Sequence, residues 1–375
     1  MRELIYITLC LFLAYGCGSA ASTEQVERIE LTEDIANYPY INESEISVSY
    51  DIFTLESRGK EGIIPQISKI VEHNGYLFVL SYMGTHNEIY IFKSDGEYVT
   101  TLRKGRARNE FLAAMDINVD PESNLLEVLD RHSCAILSYS FDGKFMSKTS
   151  LPKKSMFEFC RLPNSEYLTF TSIHLFKEDT DSYFHRVQGE TSLQGYLDKP
   201  KGLPNFIMGW HITKSGDDIY CSGIYGNTCY KFNKDSLSFE PYLQIDPILD
   251  VESKHLSGDS ELLKSYFSRF YSFRMFCDDS LLAFYASSNT SYNVMYNRND
   301  KTLYQHIFNQ IPYLGFSLVG QSGDDEFYYI YAEQIEELND YPLNSKVTRS
   351  IVDELMTKDS SVQNPYIIRI SYDKK

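Results

Sequence analysis

The chain has 375 residues and a formal net charge of −17, with 43% hydrophobic and 14% aromatic residues. This content supplies a large core and excludes disorder for most of the chain, and closed all-β folds of this length form one domain. Nucleic-acid binding requires clustered cations that displace phosphate counterions, so the acidic charge argues against a nucleic-acid partner.

The N-terminal residues predict export. One Arg is followed by a nearly continuous apolar stretch from Leu4 to Tyr15. A membrane-spanning helix needs about 20 apolar residues, whereas the hydrophobic region of a signal peptide has roughly 7 to 15. Residues 1–16 are therefore predicted to be a signal peptide that is removed on export.

The residues before Cys17, Ala14-Tyr15-Gly16, resemble the lipobox at which bacterial lipoproteins are cleaved before an acylated Cys. Acyl chains contribute ~0.8 kcal/mol per buried CH₂, so several of them on Cys17 would hold the protein on a membrane. We expect a bacterial envelope lipoprotein, with the outer membrane favoured, the periplasmic or surface side open, and no other membrane contact. Ordinary secretion with an unmodified Cys17 is the alternative.

Residues 17–44 are polar and acidic and show no sustained strand pattern, which predicts a flexible tether. Residues 45–375 then follow as one domain. Two insertions in it, near 246–267 and 332–360, do not resemble strands and carry helix-like stretches such as "SIVDELM".

Six repeated units fill this domain. Each has a short polar turn followed by an apolar strand, and spacings of 49, 42, 51, 63 and 45 residues separate the equivalent positions Leu77, Leu126, Leu168, Ile219, Leu282 and Phe327. Four short strands per unit of about 40 to 50 residues are typical of a β-propeller blade. The sequence therefore predicts an all-β, six-bladed β-propeller.

Two Asp-Gly pairs support this division into blades. Asp95-Gly96 and Asp142-Gly143 lie between the third and fourth strands of the first two units, where a tight hairpin turn requires a residue that tolerates positive φ. The sixth unit ends one strand short. The strand-like residues 45–56 are predicted to pair beside the last strand and to close the ring, leaving no open edge between the first and last blades.

The segment from Lys104 to Phe111 carries a resemblance to a known family. Together with the preceding Asp-Gly hairpin and the following "MDINVDPESNLLEVLD", it resembles the six-bladed β-propeller lipoproteins of Bacteroides-type bacteria, which are related in pattern to NHL-repeat propellers. That family carries a Gly-x-Gly-Pro-Gly-Glu-Phe-like segment here, of which this chain retains Gly105, Glu110 and Phe111. The resemblance covers about residues 45–373 and supports the fold without assigning a function.

Candidate binding residues are expected on the face of the propeller that carries the long connections, around the mouth of the central channel. Several arginines that converge there could bind carboxylates such as those of uronic acids. The alternative is that they pair with carboxylates of neighbouring blades, and the only Trp either stacks on a sugar or fills the core. The candidates are Arg103, Arg106, Arg108, Glu110, Arg131, His132, Trp210 and His211.

The remaining motifs predict neither a metal site nor a cofactor. The eight His residues are scattered without zinc-ligand spacing, and the acidic pairs in short turns do not match a calcium loop. Cys221 and Cys229 close a hairpin-sized loop, so they either form a disulfide or remain core thiols.

The leading functional hypothesis is a non-catalytic binding or scaffolding protein for a glycan, a peptide or an envelope protein. The alternatives are a propeller lyase or hydrolase acting on an extracellular glycan or peptide, whose residues no local motif need reveal, and a structural assembly subunit.

Overall fold

The protein is represented by a computed structural model that describes residues 26–31, 35–44, 46–171, 182–199, 211–222, 228–246, 271–274, 281–287, 291–309, 311, 318–322 and 325–374. The predicted signal peptide, Cys17, Trp210 and all but the first residue of the insertion near 246–267 lie outside these ranges.

The described residues form mainly short β-strands. The first thirteen are β1 (Glu27–Glu30), β2 (Ile46–Thr54), β3 (Lys69–His73), β4 (Tyr76–Met83), β5 (His86–Lys93), β6 (Tyr98–Arg103), β7 (Ala114–Asp120), β8 (Leu125–Asp130), β9 (Ala135–Tyr139), β10 (Phe145–Ser150), β11 (Met156–Arg161), β12 (Tyr167–Thr171) and β13 (Ser182–Gln188). The others are β14 (Thr191–Asp198), β15 (Ile212–Ser215), β16 (Asp218–Ser222), β17 (Thr228–Asn233), β18 (Ser238–Asp246), β19 (Tyr271–Arg274), β20 (Leu281–Ser287), β21 (Ser291–Asn297), β22 (Thr302–Gln305), β23 (Gly320–Ser322), β24 (Asp325–Ile330) and β25 (Tyr366–Lys374).

These strands build an all-β propeller with four-stranded blades. Three sheets contain four strands each, in the orders β7-β8-β9-β10, β11-β12-β13-β14 and β19-β20-β21-β22. A fourth sheet, β15-β16-β17-β18, has β1 added at its edge. β7 contacts β11 in the next sheet, and β11 contacts β15, so these first strands are the innermost strands of their sheets.

The fifth sheet has eight strands, so the hydrogen-bonded sheets formed by the described residues number five rather than the predicted six. Its order is β2-β25-β24-β23-β3-β4-β5-β6, and a single parallel pairing of Gly320 with Ile70 joins its two halves. Gly320 lacks a side chain, and a Cβ there would lie 2.5 Å from the Ile70 carbonyl oxygen. This close backbone approach merges two four-stranded units into one sheet.

The predicted N-terminal strand forms, and it pairs as expected. β2 lies antiparallel to β25 over its whole length, from Ile46 opposite Lys374 to Thr54 opposite Tyr366. The Asp-Gly turns are also confirmed, since Gly96 and Gly143 have φ of 91° and 83° between the third and fourth strands of their units.

The segment predicted to be a flexible tether is ordered over most of its C-terminal part. β1 pairs in parallel with β18, and the buried side chains of Ile29 and Leu31 pack between the fourth sheet and the next. Glu27 accepts a hydrogen bond from Arg298 at 2.7 Å. Two 3-10 helices, Ile35–Asn37 and Ile41–Glu43, follow. The apolar residues spaced through this acidic segment explain the docking, because each gains a buried position on the propeller.

The insertion near 332–360 is helical, as its sequence suggests. A short helix α1 (Ala332–Ile335) runs into the 3-10 helix Glu336–Asp340, and α2 (Lys346–Leu355) follows. Ser345 caps α2 by accepting the Thr348 N–H, and Ile351, Val352 and Leu355 bury one face of the helix in the core.

Cys221 and Cys229 are buried cysteines that are not bonded to each other, so the proposed disulfide is absent. Cys221 lies opposite Tyr230 and Cys229 lies opposite Ser222, which places the two side chains on opposite faces of the sheet. Each thiol packs in a different apolar cluster and is buried there.

Candidate functional site

The connection from β6 to β7, residues 104–113, is held in a fixed shape by its own backbone and by the next sheet. The Gly105 N–H donates to the Phe111 carbonyl at 2.9 Å, and Phe111 is fully buried between the first two four-stranded units. Tyr139 donates to the Asn109 carbonyl at 2.9 Å from the neighbouring sheet. This connection is therefore anchored at its ends and near its tip.

Glu110 organises this connection from inside. Its carboxylate accepts the Ala107 N–H at 2.9 Å and lies directly over Gly105, where an added Cβ would come within 1.8 Å of Oε2. Gly105, Glu110 and Phe111 are the three residues retained from the family segment, and the structure gives each of them a role in the shape of the loop. Glu110, predicted to bind ligand, thus binds its own backbone.

Asp130 fixes the opposite side of the same region. It is fully buried at the end of β8, and its carboxylate accepts the N–H groups of Leu112 and Ala113, both at 3.0 Å. It also accepts the His132 N–H at 3.2 Å and the Ser133 hydroxyl at 2.7 Å. Four donors on one carboxylate hold the 104–113 connection against the β8–β9 turn.

Between these two elements lies a cavity of about 640 Å³, which we call the loop cleft. Three exposed cations, Arg106, Arg108 and Lys148, converge on it, and in the described part of the chain their side chains have neither a hydrogen bond nor an ion pair. Its lining also includes His132 and Leu112, whose side chain is 45% exposed. The cleft therefore presents unpaired positive charge beside an apolar patch.

The loop cleft is lined by an inter-unit connection and by a turn between the second and third strands of a unit, the two kinds of connection on which a site was expected. The cleft extends to Lys148 on β10, the outermost strand of its sheet. No residue that lines the channel cavity also lines the cleft. The site thus lies where the β6–β7 connection meets the second unit.

The structure brings Arg106, Arg108, Glu110 and His132 together but not the other candidates. Arg103 pairs with Glu61 and lies 3.7 Å from Glu88, so it is paired with carboxylates as the alternative proposed. Glu88 lies on the same eight-stranded sheet as Arg103, and Glu61 lies between β2 and β3 of that sheet, so neither carboxylate belongs to another sheet. Arg131 lies over the Phe157 ring at 5.3 Å. His211 is buried and stacked on Phe170, with ring centroids 4.0 Å apart, so it is a core residue. Trp210 lies outside the described residues.

A second polar cluster, not predicted from sequence, lines the central channel. Lys69 on β3 contacts Asp116 on β7 at 2.5 Å. Asp116 also accepts the Phe159 N–H of β11 at 3.1 Å, and Glu158 accepts the N–H groups of His211 and Ile212, both at 2.8 Å. These contacts connect the innermost strands of four successive units around a cavity of about 100 Å³.

Burial governs the charge of the two channel carboxyls. Burial, together with the negative charge of Asp116, raises the pKa of Glu158 to about 8. Burial likewise raises the pKa of Asp116, against the opposing effect of Lys69. Glu158 is therefore largely protonated at neutral pH and acts as a neutral bridge between units.

Two other classes of feature are absent from the described ranges. No group of three or more His, Cys, Asp or Glu side chains there could hold a metal ion. No helix in the same ranges is long and apolar enough to cross a membrane.

Solved structures share this fold. A protein of Bacteroides fragilis NCTC 9343 described as exported superimposes with a TM-score of 0.71 at 16% identity, covering 93% of this chain and 100% of that one. A member of the DUF4221 family from Bacteroides vulgatus ATCC 8482 gives a TM-score of 0.50 at 10% identity, covering 88% and 98%. At these identities the similarity shows the propeller fold alone.

Sequence comparison assigns the family directly. No curated protein matches this chain. The pattern of one family, however, matches residues 26–370, which include β1 and nearly the whole propeller. The chain belongs to the family described as Domain of unknown function (DUF4934).

Proposed function

We propose that this protein is an exported, lipid-anchored, non-catalytic binding protein whose ligand site is the loop cleft. One observation carries the proposal: three exposed cations without partners in the described residues converge on a cavity in a protein of net charge −17. A cavity of about 640 Å³ lies within the range of roughly 300 to 1,000 Å³ that is typical of ligand pockets. The partner is a glycan, a peptide or an envelope protein.

The rigidity of the cleft supports binding. Asp130, Glu110 and the buried Phe111 fix both walls before any ligand arrives. A preformed site loses little conformational entropy when it binds, so more of the contact energy appears as affinity.

Export and lipid attachment are the second part of the proposal. The short apolar N-terminal stretch, Cys17 and the similarity to a protein described as exported support it. β1 begins at Glu27, ten residues after Cys17, so an acylated Cys17 would hold the propeller within about 35 Å of the bilayer. Mass spectrometry of the mature protein tests this: an N-terminus other than acylated Cys17 contradicts it.

The third part concerns the ring. We propose that the eight-stranded sheet is two blades, giving six in all, and that β2 closes the ring beside β25. The antiparallel pairing of β2 with β25 supports this, as does the Arg369–Glu72 contact of 2.8 Å between β25 and β3. A crystal structure with five blades around the axis would contradict it.

The binding function is tested by a thermal-shift screen of the full chain against acidic oligosaccharides, neutral oligosaccharides and peptides. A ligand at 100 times its Kd is expected to add about 2.7 kcal/mol to stability, because it binds only the folded state. Each ligand that shifts Tm is then recovered and weighed by mass spectrometry. An unchanged mass is expected, whereas cleavage would favour a lyase or hydrolase. A screen without any shift contradicts the function.

A further inference from the structure

The charges of the loop cleft identify the class of its ligand, given the binding function proposed above. Arg106, Arg108 and Lys148 are cationic residues of the lining, and their side chains are exposed. The two carboxylates in the lining are already occupied by donors of the protein: Asp130 accepts four hydrogen bonds, and Glu110 accepts the Ala107 N–H. The cations of the cleft, unlike its carboxylates, have no partner among the described residues, and they favour an anionic ligand over a neutral one.

The size of the ligand follows from the charge of the whole protein. A net charge of −17 repels a long polyanion, whose length extends far beyond the cleft. At physiological salt, however, charges beyond about 8 Å are largely screened. A short acid inside the cleft thus interacts with the local cations and is little affected by the acidic surface elsewhere.

The identity of the cations indicates the acidic group. Arg106 and Arg108 are arginines, whose planar guanidinium groups match the two oxygens of a carboxylate in a bidentate pair. Leu112 adds an exposed apolar side chain to the same lining. A sugar ring that carries a carboxylate has both an acidic edge and an apolar C–H face, so it satisfies the two kinds of surface that the cleft offers.

We propose that the loop cleft binds a short acidic saccharide, one or two uronic-acid rings long, with its carboxylates on Arg106 and Arg108. Lys148 adds positive charge from the next unit, and Leu112 packs against a ring face. Binding involves no covalent step.

Calorimetric titration of the full protein with digalacturonic acid tests this proposal, and the dimethyl ester serves as the neutral match. The acid is expected to bind at least tenfold more tightly than the ester, and its affinity is expected to fall as salt rises. The variant with both Arg106→Ala and Arg108→Ala is expected to lose at least tenfold in affinity. Conservative Arg→Lys replacements at both positions should restore part of it.

A control variant distinguishes the loss of a cation in the cleft from the loss of a cation elsewhere on the surface. Lys144→Ala removes an exposed cation of the same sheet that already pairs with Asp142 at 2.7 Å and lies outside the cleft lining. Its affinity for digalacturonic acid is expected to remain unchanged, and unaltered Tm values of all variants without ligand show that the fold is intact.

The other outcomes distinguish the ligand class from the binding function. Equal binding of acid and ester, or a shift produced only by neutral oligosaccharides, overturns the acidic class and leaves the binding function standing. If triglutamate binds and digalacturonic acid does not, the saccharide proposal is wrong, but the proposal that the cleft binds an acidic ligand stands. If no compound of any class binds, both proposals fail.

Discussion

Asp130→Ala is expected to lower the free energy of unfolding by about 3 to 5 kcal/mol. The substitution removes the acceptor of the Leu112, Ala113 and His132 N–H groups and of the Ser133 hydroxyl. Asp130 is fully buried, so donors left without a partner there lose hydrogen bonds that water does not readily replace. Chemical denaturation of the variant and the parent measures the difference.

Asp95→Ala is the matched control, because Asp95 lies in the turn between β5 and β6, is exposed and accepts the N–H of Glu97 at 3.1 Å. We expect it to lose less than about 1 kcal/mol. A loss at Asp130 no larger than the loss at Asp95 would show that the loop cleft does not depend on the buried carboxylate.

Glu158→Gln is expected to change how stability depends on pH. The folded protein holds the proton of Glu158 up to a pKa of about 8, whereas the unfolded chain releases it near the ordinary value of a glutamate. The folded state therefore binds more protons between these two values. The contribution of Glu158 to the free energy of unfolding is therefore present at low pH and is lost as pH rises through about 8.

The glutamine keeps the acceptor for the His211 and Ile212 N–H groups but carries no titrating proton. The free energy of unfolding, measured by chemical denaturation from pH 5 to 9, should fall in the parent by roughly 1 kcal/mol per pH unit in the window below 8. It should fall less steeply in the variant. The exposed Glu122→Gln serves as control and should follow the parent. Parallel curves for parent and Glu158→Gln would mean that Glu158 is ionised in the folded protein.

The strand order was predictable because it rests on local signals. Alternating apolar residues and tight turns recur through the chain, and Gly96 and Gly143 have the positive φ that their Asp-Gly pairs predicted. The merging of two units into one sheet was not predictable. It depends on the backbone of Gly320 approaching Ile70, residues that are far apart in sequence.

The docked N-terminal segment was missed because its acidic composition suggested a solvated tether. The signal was present in the spacing of Ile29, Leu31, Ile35 and Ile41, all of which are buried. Apolar residues at such intervals within an acidic stretch indicate a segment with one face packed on the domain.

The candidate site was half predictable. The basic connection identified Arg106 and Arg108, but Lys148 reaches the cleft from β10, and its approach depends on how the β6–β7 connection folds over that sheet. Asp130 had a sequence signal, since an Asp followed three residues later by Ser forms a local turn, and Asp120 and Ser123 repeat this arrangement at 2.5 Å. Asp116 and Glu158 were visible as carboxylates within apolar strands, which usually need buried partners.

Site-specific photo-cross-linking from position 112 tests most directly that the loop cleft is the binding site. Leu112 lies in its lining, and Leu193 on β14 is similarly exposed, at 39% against 45%, but lies outside it. With the cross-linker at 112, intact envelopes should yield a specific adduct that digalacturonic acid suppresses, and position 193 should yield none. Equal adducts from both positions, or an adduct at 193 alone, would contradict a binding site in the loop cleft.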